Sequence, residues 1–149
     1  MDWAVLIPLW FMGGRVEPPK PVVVVTPARE LPPSDHVTAG AAIAATAAAS
    51  SLRVAFIASA DHGHAHVKGG PFGYHPAAAK FDALVNDIVG SNELDRLVGI
   101  PRELVDDAKA DSWWQMLMLH GATRGWRGEL LSYEAPTYFG MLTAAYEPS

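Results

Sequence analysis

The sequence predicts an α/β fold, a three-layer sandwich in which helices flank a central mixed, partly parallel sheet. Short β-branched runs at residues 22–25 and 53–59 have the composition of strands buried on both faces. Between them lies an alanine-rich stretch from about residue 36 to residue 50, which favours a helix. Strand, helix and strand in this order predict a βαβ unit with a parallel strand pair.

The first part of the chain is apolar on nearly every side over residues 3–12, which predicts a buried helix. The glycines and prolines of residues 13–21 then predict a loop that leads into the first strand. Ser34 or Asp35 is placed to cap the alanine-rich helix at its N-terminus.

The second half of the chain predicts mostly helices. Pro76 and Pro101 suit the first turns of two of them. The predicted helices cover residues 77–89, 91–98, 101–109 and 112–121. A strand is predicted at 129–133, followed by a helix from about Pro136. All of these elements are assigned to a single domain, residues 1–149.

Composition excludes several classes of protein. Half of the 149 residues are hydrophobic and 18% are charged, which is typical of a globular domain. A net charge of -5 with only eleven basic residues argues against a nucleic-acid-binding surface. The chain has no cysteine, so disulfides and thiolate metal sites are excluded. Asp2 replaces the basic start of a signal peptide, and the apolar run is too short to cross a bilayer. We therefore predict a soluble, cytoplasmic protein that binds no membrane.

The most informative segment reads "ADHGHAH" at residues 60–66 and follows the second predicted strand. Ligands of open α/β sheets bind just beyond the carboxyl ends of strands. In an extended loop His62, His64 and His66 share one side, whereas in a helix His62 and His66 share a face without His64. Imidazole is both a metal ligand and, with a pKa near 6.5, a proton donor and acceptor at neutral pH.

A polar loop without chemistry is the alternative, because loops at strand ends often contain histidine for local hydrogen bonding. Two neighbours favour a functional site. Asp61 is placed to orient an imidazole ring. The glycine-rich stretch at residues 69–76 carries Phe72 and Tyr74, which suit either a planar ligand or the protein core.

Two acidic residues are candidate metal or substrate contacts. Glu134 follows the strand predicted at 129–133, and Asp111 precedes the helix predicted at 112–121. Each carboxylate also fits an ordinary role at a helix N-terminus, where negative charge is favourable.

Six segments together resemble one known family over nearly the whole chain. They read "DWAVLIPLWFMG", "PVVVVTPAR", "IASADHGHAH", "GPFGYHPAAAKFD", "WQMLMLHGA" and "LSYEAPTYFGMLTAAY". This set resembles the class III extradiol ring-cleavage dioxygenases, the family typified by the catalytic subunit of protocatechuate 4,5-dioxygenase. The most specific piece of the resemblance is the run from Asp61 to His64.

The resemblance implies a non-haem Fe(II) enzyme that opens a catechol-like ring with O2, its iron held by two histidines and a carboxylate. It implies that His64 is the acid/base histidine beside the metal, with Asp61 as its catalytic neighbour. His66, Phe72 and Tyr74 are then the expected substrate contacts. The metal-binding glutamate of the family aligns near Ser112, which makes Asp111 the nearest acid and Glu134 the second candidate ligand.

The chain also departs from the family pattern. Members of the family are nearly twice as long, and the histidines that bind their iron lie in an N-terminal half that has no counterpart here. The resemblance therefore implies a C-terminal half of the family domain, acting as a homo-oligomer or with a complementing subunit. The alternative is a non-catalytic binding or scaffold protein on the same fold.

Overall fold

The computed structural model describes residues 2–13 and 15–149. Met1 and Gly14, the latter within the predicted glycine-proline loop, lie outside the described residues. The helices are α1 (Trp3–Met12), α2 (Pro33–Ala49), α3 (Pro76–Gly90), α4 (Arg102–Ala108) and α5 (Trp113–Ala122), with a 3₁₀ helix at Leu94–Gly99. Two strands follow, β1 (Trp126–Glu134) and β2 (Met141–Pro148). Helices α2 to α5 confirm the predicted helices to within a few residues.

The core forms around α3, whose buried residues Phe81, Val85 and Ile88 recur at helical spacing. Helix α4 and the 3₁₀ helix pack onto α3, and α5 packs against the 3₁₀ helix. Their residues Leu97, Val105 and Leu117 belong to the same core. Burying a side chain of this size stabilises a fold by about 1.5–3 kcal/mol. The core therefore lies mainly in the second half of the chain, and Val37 of α2 joins it.

Helices α2 and α5 pack closely through two glycines. A Cβ atom on Gly40 would overlap the carbonyl oxygen of Met118, and one on Gly121 would overlap that of Val37. Only glycine permits this approach of one helix backbone to another. The close packing of α2 against α5 thus depends on these two glycines.

The two strands form an antiparallel pair in which Trp126 lies opposite Pro148 and Glu134 opposite Met141. The strand predicted at 129–133 is confirmed within β1. The helix predicted from Pro136 is wrong, because the chain turns there and returns as β2. Exposure in β2 alternates with a period of two, so that its partly buried side chains pack on the core.

The predicted βαβ unit differs most from the structure. Residues 22–25 and 53–59 form no strand in the described chain, and Val23 is 88% exposed. A β-branched run becomes a strand only when a neighbour accepts and donates its backbone hydrogen bonds, and no described segment does so. The predicted parallel pair is therefore not formed within residues 15–149.

Helix α1 is present as predicted, but its predicted burial is wrong. The Asp2 carboxylate accepts a hydrogen bond from the Ala4 N–H (3.2 Å) and caps the helix. None of its residues is buried, and Phe11 is 80% exposed. We call α1, residues 22–25 and residues 54–57 the open apolar segments. No helix in the described residues is long and apolar enough to cross a membrane.

Candidate functional site

The histidine loop, residues 61–66, is held from two sides by main-chain hydrogen bonds. On one side, the His62 N–H donates to the Gly140 carbonyl (2.9 Å), and the Gly140 N–H donates to the Gly63 carbonyl (3.0 Å). On the other side, the His64 N–H donates to the Ala108 carbonyl at the end of α4 (2.8 Å). The loop is not helical. It lies between the β1–β2 connection and the end of α4.

The imidazole of His64 is oriented through both of its nitrogens. Nδ1 lies 2.8 Å from the Lys109 carbonyl oxygen, which can only accept, so Nδ1–H donates. Nε2 lies 3.5 Å from Oδ2 of Asp61. Because the carbonyl fixes the proton on Nδ1, Nε2 is the nitrogen that can take up and release a second proton.

The environment of His64 favours its charged form. The Asp61 carboxylate raises the pKa of His64 above its ordinary value, against the opposing effect of partial burial. The hydrogen bond to the Lys109 carbonyl raises that pKa further. A histidine with these neighbours holds a proton more readily than a free imidazole does.

Three aromatic rings surround His64. Phe72 meets it edge-on with ring centroids 5.3 Å apart, and Tyr138 and Phe139 each lie at 5.9 Å. Phe72 is 53% exposed, so this group of rings is open to a flat ligand. Sequence reasoning missed Tyr138 and Phe139, because it assigned them to a helix. The sequence signal for these two residues was a pair of adjacent aromatic side chains shortly after Pro136.

His62 is a buried, hydrogen-bonded core residue, with 4% of its surface exposed. Its Nδ1 lies 2.6 Å from the hydroxyl oxygen of Ser112, the residue that stands where the family resemblance expected a glutamate. Burial lowers the pKa of His62, although Asp82 and Asp61 act in the opposite direction. His62 is therefore neutral near pH 7 and differs in chemistry from His64.

His66 lies against a buried carboxylate that sequence reasoning missed. Its Nε2 is 2.9 Å from Oδ2 of Asp82, a residue of α3 that is 1% exposed. Asp82 has a recognisable signal, since it occupies the same helical stripe as Ala78 and Val85, which are both buried. An acid within an apolar stripe indicates a specific partner in the core.

The remaining residues of the predicted site lie at the edge of the loop. The backbone of Tyr74 pairs with that of His66 in an isolated bridge, and the Tyr74 side chain is 57% exposed. His75 caps α3, because its Nδ1 accepts a hydrogen bond from the Ala77 N–H (3.3 Å). His75 therefore has a local structural role.

The two candidate metal ligands have different surroundings. Asp111 forms an ion pair with Arg29, and Glu134 is exposed at the end of β1. Across residues 2–13 and 15–149, no group of three or more His, Asp or Glu side chains is arranged to hold a metal ion. The described residues therefore do not fit a complete metal site by themselves.

Comparison with known proteins decides the family. Over residues 1–143 the sequence matches the model for the catalytic LigB subunit of aromatic ring-opening dioxygenase. The chain belongs to the LigB family. This match confirms the resemblance to the class III extradiol ring-cleavage dioxygenases.

One curated relative covers part of this LigB chain. Protein CA_C1420 of Clostridium acetobutylicum is 37% identical to it over 82 residues, which are 53% of this chain. Those residues are 17% of the length of the Clostridium protein. The likeness is therefore limited to a small part of that relative.

Proposed function

We propose that this chain supplies the acid/base histidine and the aromatic wall of an extradiol dioxygenase that opens a catechol-like ring beside its diol, using O2. The observation that carries the proposal is the geometry of His64. Its Nδ1 is held by the Lys109 carbonyl, its Nε2 lies 3.5 Å from Asp61, and Phe72 lies beside the ring. A histidine held in one tautomer beside a carboxylate is suited to proton transfer.

In this proposal the chain transfers one proton and positions the aromatic ring of the substrate. Nε2 of His64 accepts the proton of a substrate hydroxyl and later returns it, while Asp61 stabilises the imidazolium. Phe72 and Tyr74 contact the flat substrate, for which edge-on and offset ring packing is favourable. His66 binds Asp82 through Nε2, so its proposed substrate contact uses the other ring nitrogen, Nδ1.

The Fe(II) ion of this proposal requires ligands beyond those described here. Glu134 is the favoured carboxylate from this chain, because it is exposed whereas Asp111 is paired with Arg29. The two histidine ligands are proposed to come from a complementing segment or a partner subunit. The absence of a three-residue cluster among residues 2–13 and 15–149 supports this division.

The open apolar segments support the same arrangement. Val23 and Phe11 are 88% and 80% exposed, and exposed apolar surface of this kind marks a site of association. An added strand beside residues 22–25 or 53–59 would satisfy their backbone hydrogen bonds. We propose that such a strand completes the partly parallel sheet of a three-layer sandwich.

The test compares ring-cleavage rate with iron content in the assembly that contains the complementing segment. His64→Ala is expected to lower turnover by about 10²- to 10⁴-fold, the usual contribution of a positioned acid or base, and to leave iron content unchanged. His120→Ala, on the last turn of α5, is the matched control and should keep full activity. Loss of iron in His64→Ala, or unchanged turnover, would overturn the role of His64.

Metal analysis of the isolated chain tests the proposed division of ligands. After anaerobic reconstitution with Fe(II), we expect weak or substoichiometric binding, because the described residues form no three-ligand cluster. One tightly held iron per chain would overturn the division and would point to a ligand set that uses His62, His64 or His66.

The second candidate is a non-catalytic binding or scaffold protein on the LigB fold. The observation that favours it is Ser112, which stands where the family resemblance expects the metal-binding glutamate and whose hydroxyl is hydrogen-bonded to His62. An oxygen electrode separates the two candidates, with catechol as the probe and the iron-loaded assembly as the sample. Oxygen uptake coupled to ring opening supports the dioxygenase, whereas catechol binding without oxygen uptake supports the second candidate.

A further inference from the structure

We infer that Asp82 is a positioning residue, whose buried carboxylate fixes the histidine loop and so holds the His64 ring in place. The inference extends the proposed function of His64 and rests on it for its catalytic consequence. Its structural part, that Asp82 holds the loop, stands on contacts alone.

The Asp82 carboxylate accepts three hydrogen bonds, two from the histidine loop and one from β1. Oδ1 accepts from the Gly63 N–H (2.8 Å), and Oδ2 accepts from Nε2 of His66 (2.9 Å). The Tyr133 hydroxyl in β1 also donates to Oδ2 (2.6 Å). Burial raises the pKa of that tyrosine, and Asp82 raises it further, so Tyr133 keeps the proton it donates.

Two glycines make room for this carboxylate. A Cβ atom on Gly140 would overlap Oδ2 of Asp82, and one on Gly63 would lie 3.0 Å from Oδ1 and 2.9 Å from the Cα of Ala78. The backbone of the loop and that of the β1–β2 connection therefore approach α3 closely at one point. Asp82 lies at that point.

A carboxylate that is 1% exposed is costly to bury unless its oxygens are fully hydrogen-bonded. Asp82 meets that condition only while Gly63 and His66 stay in place. The loop and the carboxylate are thus mutually dependent, since movement of the loop would leave a buried charge without its donors.

The connection to His64 is short. Asp82 binds the residue before His64 and the residue two positions after it. On the other side, Ala108 and Lys109 bind the backbone and the ring of His64. Loss of the Asp82 hydrogen bonds would weaken the hold on the first of these two sides and leave the contacts of Ala108 and Lys109 in place. A displacement of about 1 Å in a catalytic group can lower the rate about 10²-fold.

The first experiment uses the chain alone and requires no ring cleavage. In Asp82→Asn, an amide group replaces Oδ2, which faces His66 and Tyr133, while Oδ1 still faces the Gly63 N–H but carries no charge. A neutral acceptor binds more weakly than a carboxylate, so we expect faster hydrogen exchange at the Gly63 amide. We also expect the His64 pKa, measured by NMR titration, to move toward its ordinary value as the ring leaves Asp61. Asp82→Ala removes all three hydrogen bonds and should show both effects more strongly.

Two controls separate positioning from a general loss of stability. Asp87→Asn changes an exposed acid on the same helix, which pairs with Arg96, and should leave both readouts unchanged. Val85→Ala weakens the core beside Asp82 and should lower the unfolding temperature without moving the His64 pKa. The inference would be overturned if Asp82→Asn kept the Gly63 exchange rate and the His64 pKa of the wild type. It would also be overturned if Val85→Ala shifted the His64 pKa as much as Asp82→Asn does.

The second experiment measures ring cleavage in the complete assembly. Asp82→Asn is expected to lower kcat about 10²-fold, with a smaller effect on KM, because His66 loses its carboxylate partner while Phe72 and Tyr74 keep their places. If the wild-type assembly cleaves no ring, the proposed function fails, whereas the NMR readouts still decide the role of Asp82. Full kcat in Asp82→Asn would overturn the catalytic part of the inference.

Discussion

Nε2 of His64 lies 3.5 Å from Oδ2 of Asp61, three residues earlier in the same loop. The Asp61 side chain is 47% exposed and that of His64 is 14% exposed, so the pair lies at the border between core and surface. Two residues away in sequence, His62 is buried against Ser112. Two histidines of one motif therefore have pKa values shifted in opposite directions, since burial lowers the pKa of His62 and Asp61 raises that of His64.

Asp61→Asn should lower the pKa of His64, because the carboxylate is the largest contribution that raises it. Histidine ring signals followed by NMR across a pH titration measure the change. Asp106→Asn, which alters an exposed acid paired with Arg102, provides the control and should leave the titration of His64 unchanged. An unaltered His64 titration in Asp61→Asn would contradict the assigned interaction.

His62 should make the protein less stable in mild acid. Burial lowers its pKa in the folded state below the ordinary 6.5, so folding favours the neutral ring. The resulting stabilisation is complete above the unfolded pKa and is lost as the pH falls from there through the folded pKa.

The measurement is the free energy of unfolding of wild type minus that of His62→Asn, taken at several values from about pH 7.5 to about pH 5. Subtraction removes the effects of other groups, including His64, whose raised pKa acts in the opposite direction. The difference should shrink as the pH falls. A difference that grows toward acid would show that His62 is charged in the folded protein.

Gly40→Ala should separate α2 from α5, because the added methyl group overlaps the carbonyl oxygen of Met118. Overpacking of this kind typically costs about 1–3 kcal/mol of stability, measurable by urea unfolding. Gly99→Ala is the matched control, since a Cβ atom there meets nothing within 4 Å. A Gly40→Ala variant as stable as Gly99→Ala would contradict the close helix contact.

The isolated chain is expected to associate through the open apolar segments, as a dimer or with its complementing segment. Sedimentation velocity over a range of concentrations measures this. Phe11→Glu, at a position 80% exposed on α1, should shift the chain toward monomer. Val98→Glu, at an exposed position of the 3₁₀ helix, should have little effect. A monodisperse, cooperatively folding monomer in wild type would contradict the expectation.

Local patterns in the sequence predicted the helices well. Helices α2 to α5 have apolar spacing and alanine content that act within one segment, so their signals need no distant partner. Residues 22–25 and 53–59 have equally clear strand composition but form no strand. A strand depends on a second segment, and composition alone does not supply one. Pro136 misled the prediction because a proline suits a turn as well as a helix start.

Only the part of the site that lies within one short segment was predictable from the sequence. The histidine loop and Phe72 were visible as a cluster in the sequence, and the structure places Phe72 beside His64. Asp82 contacts the loop across 16 to 19 positions of sequence. The Tyr133 hydroxyl, which donates to Asp82, lies 51 positions after it in the sequence. Such contacts depend on the packing of α3 against the sheet, which no short motif encodes.

The hydrogen bond from His64 to the Lys109 carbonyl bears on how this site tolerates sequence change. Lys109 ends α4 in the left-handed conformation, with φ of 55°, which glycine and asparagine also adopt readily. The ring is held by a main-chain atom, so replacing the lysine side chain leaves the hydrogen-bond acceptor in place. Position 109 can therefore vary between homologues while the orientation of the imidazole is inherited unchanged.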